Sequence, residues 1–171
     1  RKFYDTPKNY NVYRFNEIPI EILGSIYERF LGKIIQVNPE NTKGIVKVIE
    51  KPEVRKAGGV YYTPDYIVEY IVKNTVGKLF EKKTPKEVED IKIIDIACGS
   101  GSFLVEAYTY LLNWYLNYYS NNPAKAKSDN SLYKDKLTRE KRKEILKRHI
   151  YGVDIDHQAV EVTQMSLFIK M

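Results

Sequence analysis

The sequence predicts an α/β fold preceded by a helix and a hairpin, and three observations carry that prediction. A short β-branched run, Ile91 to Ile96, has the length and composition of a buried strand and passes through an acid, Asp95. A Gly-x-Gly turn, Gly99-Ser100-Gly101, follows at once and opens into an apolar and aromatic segment of helical character, Phe103 to Tyr119. A second strand, Ile150-Tyr151-Gly152-Val153-Asp154, is again followed by acids and by a helix from about His157. Strand, acid, glycine turn and helix together make a cradle for a nucleotide-like ligand. Glycine lets backbone approach the ligand, and the acid offers a fixed acceptor.

Bulk properties set the frame. At 171 residues and 43% hydrophobic, the chain can bury one core, and one domain is the default. A single cysteine excludes an internal disulfide framework and agrees with a reducing, cytoplasmic setting. No apolar run approaches the ~20 residues of a membrane span, so no membrane partner is expected. The chain begins with Arg rather than Met and shows no signal-peptide pattern, which suggests a piece of a longer protein. The net charge of +6 points weakly to a polyanion, because a solvated lysine face produces the same number.

In chain order, residues 1–15 are a polar and aromatic arm without a period. Asn16-Glu17-Ile18-Pro19 starts a helix in which Ile20, Leu23, Ile26, Tyr27, Phe30 and Leu31 recur at helical spacing, with Gly32 as the stop. Two β-like runs, Ile34 to Val37 and Ile45 to Ile49, flank Asn38 to Gly44 and read as a hairpin. Thr63 as N-cap and Pro64 as first helical residue then start a helix over about Asp65 to Phe80, with Ile67, Ile71 and Leu79 on its apolar side. A structural cap explains Thr63-Pro64 by itself. The helix N-terminus could also receive a carboxylate or phosphate.

Residues 81–90 are a charged connector to the first strand. The aromatics of the following helix, among them Tyr108, Trp114, Tyr115 and Tyr119, suit packing better than base stacking. Residues 120–133 read as a loop of low order, and a basic helix follows over about Thr138 to His149. Ten Lys and Arg against four acids between Ser120 and His149 account for a charge equal to the whole chain's +6. That surface could contact phosphates, though a solvated face is the plainer reading. Asp156 is placed to cap the last helix. His149 and His157 have no third ligand at metal spacing and read as surface or helix-end residues, so no metal is expected.

The ligand can be narrowed. A nicotinamide-binding unit wants a third glycine three residues after the second and an acid about 20 residues on. Here Ser102, Phe103 and Leu104 follow Gly101, and Asp154 lies far beyond. The full string Asp95-Ile96-Ala97-Cys98-Gly99-Ser100-Gly101-Ser102-Phe103 instead resembles the cofactor motif of N6-adenine-specific DNA methyltransferases of restriction–modification systems. There, Asp-Pro-Ala-Cys-Gly-Ser-Gly-x-Phe is typical, and Ile96 replaces the proline. Gly58-Gly59-Val60-Tyr61-Tyr62-Thr63-Pro64 resembles that family's preceding Gly-x-Tyr-Tyr/Phe-Thr-Pro motif, and Tyr151 to Asp156 its following acidic motif. The three stand in the family's order over roughly residues 56–171, and the helix from Ile18 to Leu31 resembles the helical lead-in.

The resemblance implies a partial Rossmann-like, S-adenosyl-L-methionine-dependent methyltransferase fold. Residues 1–55 would be arm, helix and hairpin, and residues 56–171 a cofactor-binding part truncated at its C-terminal end. It implies cofactor contacts at Tyr62, Thr63, Asp95, Ala97, Gly99, Gly101, Phe103, Asp154 and Ile155. Asp95 would accept from the methionine ammonium, Thr63 would receive its carboxylate, Asp154 would hold the ribose hydroxyls, and Ile155 would pack on the adenine. Asp156 fits better as a cap, and Cys98 as packing, since a cysteine nucleophile belongs to cytosine chemistry. The partner implied is double-stranded DNA, with a specificity or restriction subunit or domain besides. The family's catalytic Asn/Asp-Pro-Pro-Tyr/Phe loop, which holds a flipped adenine, is absent. Asn38-Pro39-Glu40 and Asn122-Pro123-Ala124 lack its second proline and aromatic, so the catalytic loop is expected downstream of Met171. The rivals are a methyltransferase of RNA or protein and a non-catalytic DNA-binding subunit. Open strand edges and apolar helix faces would favour self-association.

Overall fold

A computed structural model of the chain describes residues 63–171, residues 22, 24 and 26, and the backbone of residues 33–37 and 46–50. The expected hairpin is present: β1 (Lys33–Val37) pairs antiparallel with β2 (Val46–Glu50), Ile35 opposite Val48. Ile22, Gly24 and Ile26 are helical, as the lead-in requires, and the rest of that helix and the arm lie outside the described residues.

The helix expected over Asp65 to Phe80 is two, α1 (Asp65–Asn74) and α2 (Val76–Phe80). Thr75 breaks them. Its hydroxyl donates to the Ile71 carbonyl at 2.7 Å, and the residue leaves helical geometry at ψ −78°. A β-branched residue bonding back to the preceding turn commonly bends a helix. The buried stripe is Val68, Val72, Val76 and Phe80, one position along from the Ile67, Ile71 and Leu79 predicted; Ile71 and Leu79 are exposed. Isoleucine and valine stand side by side at 67–68 and again at 71–72, so periodicity alone serves either face.

The core is built on α3 (Ser102–Asn121), roughly 30 Å long. Leu104, Tyr108, Leu111, Tyr115 and Tyr119 are buried along it, each large side chain contributing about 1.5–3 kcal/mol. Its aromatics are packing residues. Phe80 meets Trp114 edge-on at 5.1 Å between ring centroids, and the Trp114 indole N–H donates to the Phe80 carbonyl at 3.1 Å. A Cβ at Gly77 would lie 3.0 Å from the Tyr110 hydroxyl, so α2 packs closely on this side chain of α3. In the connector before the strand, Val88 is fully buried among the charges.

β3 (Ile93–Asp95) and β6 (Ile150–Gly152) form the two-stranded parallel pair, Ile93 opposite Ile150 and Asp95 opposite Gly152. Between them, residues 120–133 are more ordered than predicted. Pro123 opens α4 (Pro123–Ser128), and β4 (Leu132–Tyr133) pairs with β5 (Lys136–Leu137). The two-residue turn holds Lys134 and Asp135 at φ 48° and 59°. Such turns usually announce themselves by Asn-Gly or Asp-Gly, and this one lacks the glycine. Helix α5 (Arg139–His149) is capped by Thr138, whose hydroxyl accepts from the Lys141 N–H. Helix α6 (His157–Lys170) is capped by Asp156, as expected. It buries Ala159, Thr163, Ser166 and Leu167 and exposes Met165, Phe168 and Ile169. Among the described residues no helix is long and apolar enough to cross a membrane.

His149 ends α5, as one of the two readings had it, but the surface alternative is corrected: the residue is completely buried. Its Nδ1 donates to the Ile91 carbonyl at 2.7 Å, which leaves Nε2 to accept from the Tyr115 hydroxyl at 2.9 Å. One imidazole therefore ties the lead-in to β3, the middle of α3 and the end of α5. Burial lowers its pKa below 6.5, and the cations of Lys92 and Arg148 add to the effect. His157, by contrast, is exposed and lies 3.4 Å from Glu161.

His149→Phe keeps the volume and strands two polar groups, so it should cost about 2–4 kcal/mol in urea unfolding. The unfolded chain protonates this histidine near pH 6.5 and the folded chain resists, so the wild type should lose stability as pH falls below 6.5. That portion of the pH dependence should vanish in the variant. An unchanged profile would remove His149 as its source.

Candidate functional site

The chemistry collects where the two parallel strands end. Pairing continues past them: the Val153 N–H donates to the Asp95 carbonyl at 2.8 Å, and the Cys98 N–H donates to the Val153 carbonyl at 2.9 Å. The ends of β3 and β6 are thus laced together, and the two acids that follow them share one end of the sheet. Asp95 turns back on its own loop and accepts from the Ala97 N–H at 3.1 Å. Asp154 reaches across and accepts from the Gly99 N–H through Oδ2 at 2.8 Å, while its Oδ1 accepts from the Asp156 N–H at 2.8 Å. A carboxylate oxygen can take more than one hydrogen bond, so Asp154 holds the turn and keeps acceptor capacity.

The two glycines of the turn differ in what they face. Gly99, at φ 51°, has no described residue within 4 Å of where a Cβ would project. Gly101, at φ 86°, would place a Cβ 2.6 Å from the Thr163 side chain of α6. The missing side chain at Gly101 is therefore demanded by the chain's own packing, and that at Gly99 leaves an open face for a ligand. The turn closes through the Gly101 N–H on the Cys98 carbonyl at 2.8 Å, and α3 starts there with Gly101 as its left-handed cap. Gly152 is as tightly placed, since a Cβ there would lie 2.6 Å from Leu104 and 3.2 Å from the Cys98 sulfur.

Cys98 is buried, and burial raises its thiol pKa, with the nearby Asp154 and Asp95 carboxylates adding to the rise. A protonated, enclosed thiol is no nucleophile. Ile155 is fully exposed beside Asp154, a flat-packing apolar group presented to solvent. A cavity of about 280 Å³ beside the turn is lined by Asp95, Ile96 and Phe103 together with Ile71 and Thr75.

Of the residues named from sequence, Asp95, Ala97, Gly99, Gly101, Asp154 and Ile155 come together at this end, and Phe103 joins Asp95 in the cavity wall. Tyr62 lies outside the described residues. Thr63 is half-buried and does not cap α1: the cap position is Pro64, without a side-chain bond, and the helix begins at Asp65. No hydrogen bond joins Thr63 to the turn among the described residues. Sequence reasoning passed over Thr163, whose hydroxyl donates to the Gly99 carbonyl at 2.9 Å. A threonine in an apolar helical stretch carries no motif; the clue is that it falls on the face shared with Ala159, Ser166 and Leu167.

Known proteins resemble this chain over most of its length. Residues 19–171 match the N-6 DNA Methylase family. The type II restriction enzyme and methyltransferase RM.Eco57I of Escherichia coli is 34% identical over 94% of this chain, which covers 16% of that protein. The adenine-specific methyltransferase BrxX of Escherichia coli O9:H4 (strain HS) is 25% identical over 88% of the chain, covering 13% of its own length. The methylase subunit of the type I restriction enzyme MjaIX of Methanocaldococcus jannaschii is 28% identical over 95% of the chain and 21% of the subunit. The chain therefore spans a fifth or less of RM.Eco57I and BrxX.

The unlike faces of the two glycines predict unlike costs. Gly99→Ala should lose about 1–2 kcal/mol, the strain of a left-handed Cβ. Gly101→Ala should lose about 1–3 kcal/mol more, because the methyl must displace Thr163. Equal melting temperatures for the two variants would contradict the packing described.

Proposed function

Because the chain belongs to the N-6 DNA methylase family, we propose that residues 56–171 form the S-adenosylmethionine-binding part of a Rossmann-like adenine-specific DNA methyltransferase. The whole protein would methylate adenine N6 in double-stranded DNA within a restriction–modification or defence system. The observation that carries this reading is the lacing of the two strand ends, which sets Asp95, the open face of Gly99, Asp154 and Ile155 around one turn. Its donor set suits the group. A half-buried carboxylate with one backbone partner suits an ammonium, a second with spare lone pairs suits a vicinal diol, and an exposed isoleucine suits a purine face.

When bound, S-adenosylmethionine supplies a methyl group activated by attachment to a sulfonium. Asp95 accepts from its ammonium. The N-terminus of α1, entered at Thr63, presents first-turn N–H groups to its carboxylate. Asp154 takes the ribose hydroxyls, Ile155 packs on the adenine, and Ala97 and Phe103 line the approach. Cys98 takes no part in the transfer. Binding and orientation are the roles given to this stretch, with base capture assigned to an Asn-Pro-Pro-aromatic loop elsewhere in the larger protein.

A DNA partner agrees with the far end of α3. There Lys125, Lys127, Lys134, Lys136 and Arg139 are exposed and make no ion pair among the described residues. Lysines and arginines of this kind neutralise backbone phosphates without reading sequence. The names of the similar proteins support the defence setting, and that of the type I relative supports a specificity or restriction subunit as a partner.

Calorimetric titration of this chain with S-adenosylmethionine should show weak but measurable binding; no heat from a folded sample at high protein concentration would refute the reading. Asp154→Ala should weaken binding at least about tenfold, in line with loss of charge-assisted hydrogen bonds. Asp156→Ala should change affinity little and stability by about 1 kcal/mol, the loss of a helix cap. Equal losses of affinity would show the ribose acceptor to be misassigned.

A further inference from the structure

Gly99 is held from both sides by residues far along the chain. Asp154, at the end of β6, takes its N–H at 2.8 Å, and Thr163, in the second turn of α6, donates to its C=O at 2.9 Å. Between these two bonds its Cα, at φ 51°, faces space that no described residue fills. The direction of that face is set by the plane of the two flanking peptides, and each clamp fixes one of them.

The clamps differ in their other duties. Asp154 already accepts a second backbone N–H, from Asp156, and on the reading above it must also receive ribose hydroxyls. Thr163 is buried at 4% exposure and faces inward, against the Cα of Gly101 and beside the Cys98 thiol. No ligand at the open face can reach its hydroxyl. Its methyl and its oxygen both lie where a Gly101 Cβ would be, so the side chain is wedged in place with its hydroxyl between the Gly99 carbonyl and the Cys98 sulfur.

We infer that Thr163 is a positioning residue for the methyl-donor turn, its hydroxyl orienting Gly99 while Asp154 is left to accept from the ligand. This rests on the donor-binding reading of the turn. It also makes α6 part of the binding apparatus through a side chain that is itself buried. The hydroxyl, rather than the bulk of the side chain, is the active feature.

Two variants separate the hydroxyl from the shape. Thr163→Val keeps the volume and removes the donor; Thr163→Ser keeps the donor and removes the methyl. In calorimetric titration of the chain with S-adenosylmethionine, Thr163→Val should weaken binding about fivefold, the value of one lost hydrogen bond. Thr163→Ser should bind within about twofold of wild type on the same scale, despite the small cavity it creates. Wild-type affinity in Thr163→Val, or an equal loss in Thr163→Ser, would overturn the inference and leave the donor-binding reading standing. A wild-type chain that releases no heat would overturn that reading instead. Amide exchange then still tests the clamp itself: the Gly99 N–H should exchange on the order of tenfold faster in Thr163→Val than in Thr163→Ser, and equal rates would sink it.

Discussion

The hydrogen-bonded seam between residues 95–99 and 153–154 is the interaction on which the rest depends. It joins segments more than fifty positions apart, with α3, α4, the β4–β5 hairpin and α5 lying between them in the chain. Closing so long a loop costs chain entropy that local contacts cannot recover. The recovery comes from α3, whose buried face meets α1, α2, α5 and α6 and so brings β3 and β6 side by side. The turn is then the place where a large apolar core ends in a few directed polar bonds.

Much of this was legible in the sequence. The β-branched runs gave both strands to within two residues, and the capping role of Asp156 followed from an acid standing before an apolar helix. What escaped the sequence did so for identifiable reasons. Val68 and Val72 cannot be told from Ile67 and Ile71 when both pairs keep the same period. His149 looks like one more polar residue in a basic helix, and only the arrival of Tyr115 and Ile91 on its two nitrogens makes burial tolerable. The turn at Lys134-Asp135 lacks the glycine by which such turns are recognised. In the site, Asp95, Ala97, Gly99, Gly101, Phe103, Asp154 and Ile155 stand together, whereas Tyr62 lies outside the described residues and no hydrogen bond among those residues joins Thr63 to the turn. Thr163, which bonds the Gly99 carbonyl, leaves no local mark. Thr63 shows the opposite failure: a strong capping signal before a helix that starts without a side-chain cap.

The two ends of α3 have opposite electrical character. Its N-terminus rises from a turn flanked by Asp95 and Asp154, and its C-terminus runs into the lysines of α4 and the hairpin. Between them Lys141 sits over the rings of Tyr115 and Tyr119, 5.7 Å and 5.5 Å from their centroids, and within 3.1 Å of Glu144. The cations nearest the core are thus neutralised internally. Those at the far end, on α4, the β4–β5 hairpin and the start of α5, remain outward, well separated from the acids of the turn.

One contact reaches outside this frame. Gly24, in the lead-in helix, is buried, and a methyl there would lie 3.2 Å from the Ser100 hydroxyl in the middle of the glycine turn. Gly24 therefore packs on the very loop that the later strands hold. A division of the chain at residue 55 is convenient on paper, yet it would strip that cover and wet the buried Ser100. Bulk added at position 24 would be felt directly at Ser100.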